Sequence, residues 1–120
     1  MGIRSRSTAV AAISAVALAG AASPALAQKR TITVTTPKSS PFAFTGMPRT
    51  LKAGRYTFRY VNNSGIGHNL VFLKSKSTPR RGTPIFSSGS RTVTVTLKKG
   101  TARYVCTPHA AGMKGSIRVT

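Results

Sequence analysis

Hydrophobic and polar residues alternate with a period of two along much of the chain after residue 30. The alternation is clearest in four segments, in which apolar side chains alternate mainly with threonine, serine or arginine. The apolar members of these segments are Ile32 and Val34; Tyr56, Phe58 and Tyr60; Val93, Val95 and Leu97; and Ile117 and Val119. A period of two places successive side chains on opposite faces of a strand, so the four segments predict half-buried β-strands.

Three further segments predict strands of other kinds. Residues 69–73 form a short, nearly continuous apolar run, which is typical of a central strand that is buried on both faces. Residues 101–106 predict another strand, with Tyr104 and Cys106 on the same side, and residues 42–45 predict a very short one. Residues 74–90 are rich in Ser, Thr, Pro and Arg, and they form a connection that is long for a compact domain.

Turn-forming residues separate these strands, and no segment after residue 27 has the period of an amphipathic helix. About seven or eight short strands with turns between them predict an all-β fold, an antiparallel β-sandwich or barrel.

The first 27 residues differ from the rest of the chain. Arg4 and Arg6 precede an alanine-rich apolar stretch at residues 8–22, and residues 25–27 read Ala-Leu-Ala, a small-x-small cleavage site. This order predicts a signal peptide at residues 1–27 and one exported domain at residues 28–120, located in the periplasm, at the cell surface or outside the cell. We expect no transmembrane anchor, because a membrane span needs about 20 strongly apolar residues.

The charge composition excludes several classes of function. The chain has 19 Lys and Arg residues, no Asp or Glu, and a formal charge of +19. Without side-chain carboxylates it cannot form a Ser-His-Asp triad, the carboxylate pair of glycosidases, or a carboxylate-held Mg²⁺ or Ca²⁺ site. The positive field attracts anions, so we expect an acidic protein or an anionic membrane or wall surface as partner, and no specific nucleic acid.

The candidate chemistry lies in two short segments. Cys106, His109 and Met113 lie within eight residues, and the only other histidine, His68, directly precedes the apolar run at residues 69–73. The lone Cys of an exported chain cannot form an intramolecular disulfide and therefore needs another explanation. Two imidazoles, a thiolate and a thioether make up the trigonal His₂Cys set with a weak axial Met that is typical of blue-copper sites.

Other interpretations of these residues remain open. Cys106 could be an inert buried thiol, and Met113 could simply fill the core. Zinc could bind a Cys/His₂ set, although Met is a poor fourth ligand for zinc. Asn62-Asn63-Ser64 is formally a glycosylation acceptor, but it lies so close to His68 that we interpret it as part of a turn. Because both histidines are used in one site, no ligands remain for a catalytic copper centre, and we predict that the protein is not an enzyme.

The sequence resembles the cupredoxins and, within them, the plastocyanin, pseudoazurin and amicyanin group. The resemblance covers nearly all of residues 28–120 and rests on two motifs. They are Val61-Asn62-Asn63 followed by Gly67-His68-Asn69-Leu70-Val71-Phe72, and residues 100–104 followed by Cys106-Thr107-Pro108-His109 and Met113. The resemblance implies a Greek-key β-sandwich that holds one type 1 copper ion, with His68, Cys106 and His109 as equatorial ligands and Met113 as the axial ligand.

The resemblance also assigns roles to residues beside the ligands. Asn69 would hydrogen-bond across to the ligand loop and tune the sulfur, and the carbonyl of Gly67 would lie near the metal. The exposed edge of His109, with Pro108 and Ala110 beside it, would be the port through which electrons enter and leave.

We therefore predict a monomeric, exported cupredoxin that carries one electron between redox partners by Cu(II)/Cu(I) cycling. Its partner would be an acidic protein of the cytochrome or oxidase type, reached by electrostatic steering. The steering residues predicted around the rim of the port are Lys38, Lys74, Lys76, Arg80, Arg81 and Lys114. Two alternatives are a copper carrier without a redox circuit and a cationic exported β-domain that binds an anionic polymer.

Overall fold

The computed structural model describes residues 30–120, which form eight β-strands and a short 3₁₀ helix. The signal peptide predicted at residues 1–27 lies outside the described residues. The strands are β1 (Thr31–Thr36), β2 (Thr50–Leu51), β3 (Gly54–Asn62), β4 (Val71–Phe72), β5 (Arg81–Gly82), β6 (Gly89–Leu97), β7 (Gly100–Val105) and β8 (Lys114–Val119). The 3₁₀ helix is Thr107–His109. Within this part of the chain no helix has the length and apolar character needed to cross a membrane.

The strands form two sheets with a shared core. One sheet has the order β1-β3-β6 and the other the order β2-β8-β7-β4-β5. The predicted all-β class is confirmed, and most neighbouring strands are antiparallel. The pairs β1–β3 and β2–β8 are parallel. Parallel neighbours need a crossover connection instead of a hairpin. Because side chains alternate with a period of two in parallel and antiparallel strands alike, the sequence pattern could not show which pairs are parallel.

The core between the sheets consists of the alternating apolar side chains. Phe58 of β3 and Phe72 of β4 are fully buried, and their ring centroids lie 4.7 Å apart across the two sheets. Burial of a side chain of this size contributes about 1.5–3 kcal/mol, so the period-two pattern supplies much of the driving force for folding. The other members of the core are Val34, Tyr56, Tyr60, Leu70, Phe86, Val93, Val95, Leu97, Ala102, Ile117 and Val119.

Two of the predicted strands are shorter than expected from the sequence, and the connection predicted at residues 74–90 contains a strand that was not predicted. The strand predicted at residues 42–45 is reduced to a single bridge between Thr35 and Thr45. Residues 69–72 of the apolar run are buried as expected, and Leu73 is half-buried. Only Val71–Phe72 pairs as a strand, with two-residue contacts to β5 on one side and to β7 on the other. The connection at residues 74–90 contains the two-residue edge strand β5, which is too short to show a period.

The segment between β1 and β2 folds back along β1 and reaches one end of the sandwich. Thr35 and Thr45 exchange two backbone hydrogen bonds, of 2.9 and 2.7 Å. Gly46 follows with a φ of +86°, and a Cβ at this position would lie 2.8 Å from the carbonyl oxygen of Thr33. Glycine is therefore required here, and it fixes the path of the loop that carries Pro41 and Phe42.

Replacing Phe58 with alanine tests the core. Phe58→Ala should lower the free energy of unfolding by about 3–5 kcal/mol, because it leaves a cavity between the two sheets. Thr92→Ala is the control, since Thr92 is exposed on the outer face of β6 opposite Arg59, and it should cost less than about 1 kcal/mol. Urea titration of both variants measures the difference, and similar losses in both would contradict the assigned core.

Candidate metal centre

The four predicted ligand side chains come from two segments at one end of the sandwich, which we call the metal end. His68 lies between β3 and β4, Cys106 directly follows β7, His109 ends the 3₁₀ helix, and Met113 precedes β8. The Nδ1 atoms of His68 and His109 are 3.1 Å apart. The Cys106 Sγ atom lies 3.6 Å from Nδ1 of His68 and 3.5 Å from Nδ1 of His109. Nitrogen and sulfur donors bind a metal such as zinc at about 2.0–2.3 Å, so donors that share one ion lie roughly 3–4 Å apart. The three atoms therefore fit around a single ion.

The centre is mostly shielded from solvent. Cys106 and His68 are fully buried and Met113 is 1% exposed, whereas His109 is half-buried. Burial lowers the pKa of His68; the hydrogen bond to the Pro41 carbonyl acts in the opposite direction, and the neighbouring His109 lowers the pKa further. The lowered pKa favours the neutral imidazole, which is the form that has a lone pair available for a metal.

Two backbone contacts orient His68. Its Nε2 atom lies 2.6 Å from the carbonyl oxygen of Pro41, which can only accept a hydrogen bond, so Nε2 carries the proton and the lone pair is on Nδ1. Its own backbone exchanges two hydrogen bonds of 3.0 Å with Phe86. The buried Asn62 amide donates to the carbonyls of Ile66 and Phe86, at 2.8 and 2.7 Å. Asn62 therefore stabilises the turn before His68, in agreement with the interpretation of this segment as a turn.

The segment from Cys106 to Met113 is closed by its own backbone. The Cys106 N–H donates to the Met113 carbonyl at 2.9 Å, and the Met113 N–H donates to the His109 carbonyl at 2.9 Å. The His109 N–H in turn donates to the Cys106 carbonyl at 3.0 Å. Pro108 lies inside this turn, where its fixed φ suits the 3₁₀ helix. The three ligand positions of the loop are thus set by hydrogen bonds that do not involve a metal.

Asn69 joins the two ligand-bearing segments. The Thr107 N–H donates to Asn69 Oδ1 at 2.8 Å, and Asn69 Nδ2 donates to the Thr107 hydroxyl at 2.9 Å. These hydrogen bonds span 38 positions of sequence, and the tuning of the sulfur by Asn69 stays a prediction. At Gly67, a Cβ would lie 3.1 Å from a methyl group of Ile85, so the chain packs closely here. The position of the Gly67 carbonyl near the metal remains a prediction.

The surface over His109 is apolar. Pro108 and Ala110 are exposed, and they line a cavity of about 350 Å³ with Phe42, His109, Ala111, Gly112 and Met113. The Phe42 ring is 52% exposed, and its centroid lies 5.7 Å from that of His68 and 5.1 Å from that of His109, edge to face. Neither Phe42 nor Pro41 could be identified from the sequence. The available signal was an aromatic residue next to proline in an irregular segment, which does not specify a contact.

The basic residues predicted around the rim do not all lie at the metal end. Lys38 lies in the turn that leads to Pro41, and Lys114 directly follows Met113. Lys74 and Lys76 instead line a groove together with Lys98, which lies just before the start of β7. Cys106 follows the other end of that strand, so this groove is not part of the metal end.

Comparison with known proteins assigns this fold and site to a class. A family model described as copper binding proteins, plastocyanin/azurin family, matches residues 30–120. The chain therefore belongs to the plastocyanin/azurin family of copper-binding proteins, and its metal is copper. The cluster of His68, Cys106 and His109, with Met113 beside it, matches a type 1 copper site.

Solved structures of blue copper proteins share the fold. Auracyanin A, described as a "blue" copper protein from the green thermophilic photosynthetic bacterium Chloroflexus aurantiacus, has a TM-score of 0.57 and 23% identity, covering 78% of this chain and 100% of that chain. Auracyanin B has a TM-score of 0.56 and 24% identity, with coverage of 76% and 88%. A Cu(I) amicyanin variant has a TM-score of 0.53 and 22% identity, with coverage of 75% and 82%. No curated protein sequence matches the chain.

The contribution of Asn69 can be measured on the metal-free protein. Asn69→Ala removes both hydrogen bonds to Thr107 and leaves a backbone N–H unpaired, so it should lower the free energy of unfolding by about 1–3 kcal/mol. Thr107→Val keeps the backbone bond and removes only the hydroxyl bond, so it should cost about 0.5–1.5 kcal/mol. Equal losses, measured by urea titration, would show that the backbone bond to Asn69 does not stabilise the fold.

Proposed function

We propose that the protein is an extracytoplasmic type 1 copper electron carrier and not an enzyme. The observation that supports this most directly is the spacing of the three donor atoms, which is maintained by hydrogen bonds within the chain. Bound copper supplies a one-electron Cu(II)/Cu(I) couple. The role of the protein is to keep the same ligands in place for both oxidation states, so that little rearrangement accompanies electron transfer.

In this proposal the ligands are the Nδ1 atoms of His68 and His109 and the Sγ atom of Cys106, with Met113 as a weak axial ligand. The thiolate and thioether are soft donors that favour Cu(I), and the imidazoles also suit Cu(II). The burial of Met113 and its two backbone hydrogen bonds, to Cys106 and His109, support its place at the centre.

Electrons would enter and leave through His109. Of the three donors in the cluster, only His109 is partly exposed, and the surface around it is apolar. An apolar surface can be desolvated at little cost when a partner docks, and a partner's redox centre could then approach the imidazole edge. Phe42 would contribute to this surface and restrict water access to both imidazoles.

The alternative of copper carriage without a redox circuit requires that copper leaves readily for an acceptor. Cys106 and Met113 are buried, and hydrogen bonds close the loop that carries them. This arrangement favours retention of the ion over its release, and therefore supports electron transfer.

The visible spectrum tests the assignment of the ligands. Addition of Cu(II) to the purified protein should produce an intense thiolate-to-copper charge-transfer band, and Cys106→Ser should abolish it. Met113→Leu should retain a band and raise the reduction potential, because removing a donor, even a weak and soft one, destabilises the more highly charged Cu(II) more than it destabilises Cu(I).

Met47→Leu is the matched control for the methionine change, since Met47 packs against the core, outside the ligand loop, and should not alter the potential. A colourless protein that binds zinc in preference to copper would contradict the proposal. So would a copper protein that transfers Cu(I) to an acceptor but exchanges no electrons with a cytochrome.

Steering toward an acidic redox partner is a further part of the proposal. The rate of reduction or oxidation by an acidic cytochrome should fall as salt rises, because salt screens the attraction. The double variant Lys38→Gln/Lys114→Gln should lower the low-salt association rate by roughly threefold or more.

The double variant Lys52→Gln/Lys99→Gln removes the same charge from exposed positions outside the metal end and should have a smaller effect. Stopped-flow kinetics measure both rates. An equal decrease in the two variants would show that net charge alone, and not charge near the port, governs docking.

A further inference from the structure

A basic groove lies along the seam between β6 of one sheet and the segment before β5 of the other. Two adjoining depressions of about 350 and 360 Å³ form it, and they share Pro79 and Thr96. We call this feature the seam groove. The cations that line it are Lys74, Lys76 and Lys98 in one depression and Arg55 and Arg81 in the other.

The seam groove is distant from the copper site. Arg55 pairs with Thr96 near the start of β3, whereas Asn62, which stabilises the turn before His68, ends the same strand. The two residues are seven positions apart on the extended strand, which corresponds to roughly 23 Å. Lys98 likewise lies just before β7, and Cys106 lies just after it. Arg55 and Lys98 are therefore at the end of the sandwich opposite the metal end, whereas the backbone of Arg81 lies at the level of Phe72 and Tyr104, between the two ends.

The wall of the seam groove is preformed. Ser77 and Thr78 are 4% and 3% exposed, and they hold the loop that carries the lysines. The Ser77 hydroxyl donates to the Lys99 carbonyl at 3.1 Å, and the Lys98 N–H donates to the Ser77 carbonyl at 2.8 Å. The Thr78 hydroxyl donates to the Leu73 carbonyl at 2.5 Å. A ligand would therefore meet a fixed loop and would not have to order it on binding.

The cations of the seam groove cannot be neutralised by side chains of this protein, because the chain has no Asp or Glu. Arg55 and Arg81 line the same depression as the hydroxyl-bearing Thr94 and Thr96. Guanidinium groups bind phosphate oxygens bidentately, and hydroxyl groups can add single hydrogen bonds. The Thr94 hydroxyl is positioned by a hydrogen bond of 3.0 Å with that of Thr57. The chemistry of this depression therefore matches a phosphate group.

We propose that the seam groove binds a linear polymer of phosphate groups. A polymer is favoured over a single anion because five cations extend through two connected depressions. It is favoured over a lipid surface because the large hydrophobic side chains exposed within residues 30–120 lie elsewhere: Phe42 packs against the histidines of the metal end, and Ile85 lies close to Gly67, next to His68. A redox protein would occupy the surface over His109, which leaves the seam groove free. Binding at the groove does not depend on the proposed electron transfer.

Inorganic polyphosphate is the probe, and its affinity for the copper-loaded full protein is measured over a series of salt concentrations. Arg55→Gln/Arg81→Gln should weaken binding about tenfold. It should also reduce the slope of log affinity against log salt by roughly one to two, because each arginine removed eliminates about one phosphate contact. Arg49→Gln/Arg118→Gln is the matched control, since both arginines are exposed on the β2–β8 side. It should change affinity by less than about threefold and leave the slope nearly unchanged.

Three results would overturn the proposal. Equal losses in the two double variants would show that diffuse charge alone binds the polymer. Inorganic phosphate that competes as well as polyphosphate, at equal phosphate concentration, would indicate a single-anion site. Stronger binding to anionic phospholipid vesicles, lost in Arg55→Gln/Arg81→Gln, would indicate a membrane surface. The visible copper band verifies folding of the arginine variants. Cys106→Ser lacks this band, so its folding is verified by far-UV circular dichroism, and it should retain polyphosphate binding even if electron transfer fails.

Discussion

The metal centre depends on hydrogen bonds that join two segments far apart in the chain. Asn69 accepts from the backbone of Thr107 and donates to its side chain, which ties the segment that carries His68 to the loop that carries the other donors. Each such bond contributes only about 0.5–1.5 kcal/mol net, but a buried group left without its partner costs more. The bonds therefore determine the relative position of the two segments more than they determine overall stability, and the spacing of the three donor atoms follows from that position.

The absence of acidic side chains affects the surface and leaves the interior unchanged. The core is apolar, and the donors of the metal centre are imidazole, thiol and thioether groups, so neither requires a carboxylate. With no acidic partner in the chain, side-chain ion pairs cannot offset the repulsion among cations. Apolar burial must offset it, and anions from solution or from a partner can reduce it further.

Much of this arrangement could be predicted from the sequence, because the residues that define each strand and most of the metal site lie close together in the chain. The alternation around Phe58 and Val95 predicted strands, because every second residue of a strand lies on the same face of the sheet. Cys106, His109 and Met113 were identifiable because they lie in one loop. Pro41 and Phe42 were not, since their contacts with His68 join distant segments and follow no period. The seam groove was missed for the same reason: Arg55 and Arg81 meet there only because β5 packs beside β6.

The metal end and the seam groove have different chemistry, and this difference is compatible with both proposed roles in one small domain. An electron carrier must leave its partner quickly, which favours a small apolar contact such as the surface over His109. Attachment to a phosphate polymer must last longer, and several charge-assisted contacts in a groove can provide this. Attachment at the seam groove would leave His109 accessible and would hold the protein near any partner that binds the same polymer. The resulting rise in effective concentration increases encounters without tightening the contact through which electrons pass.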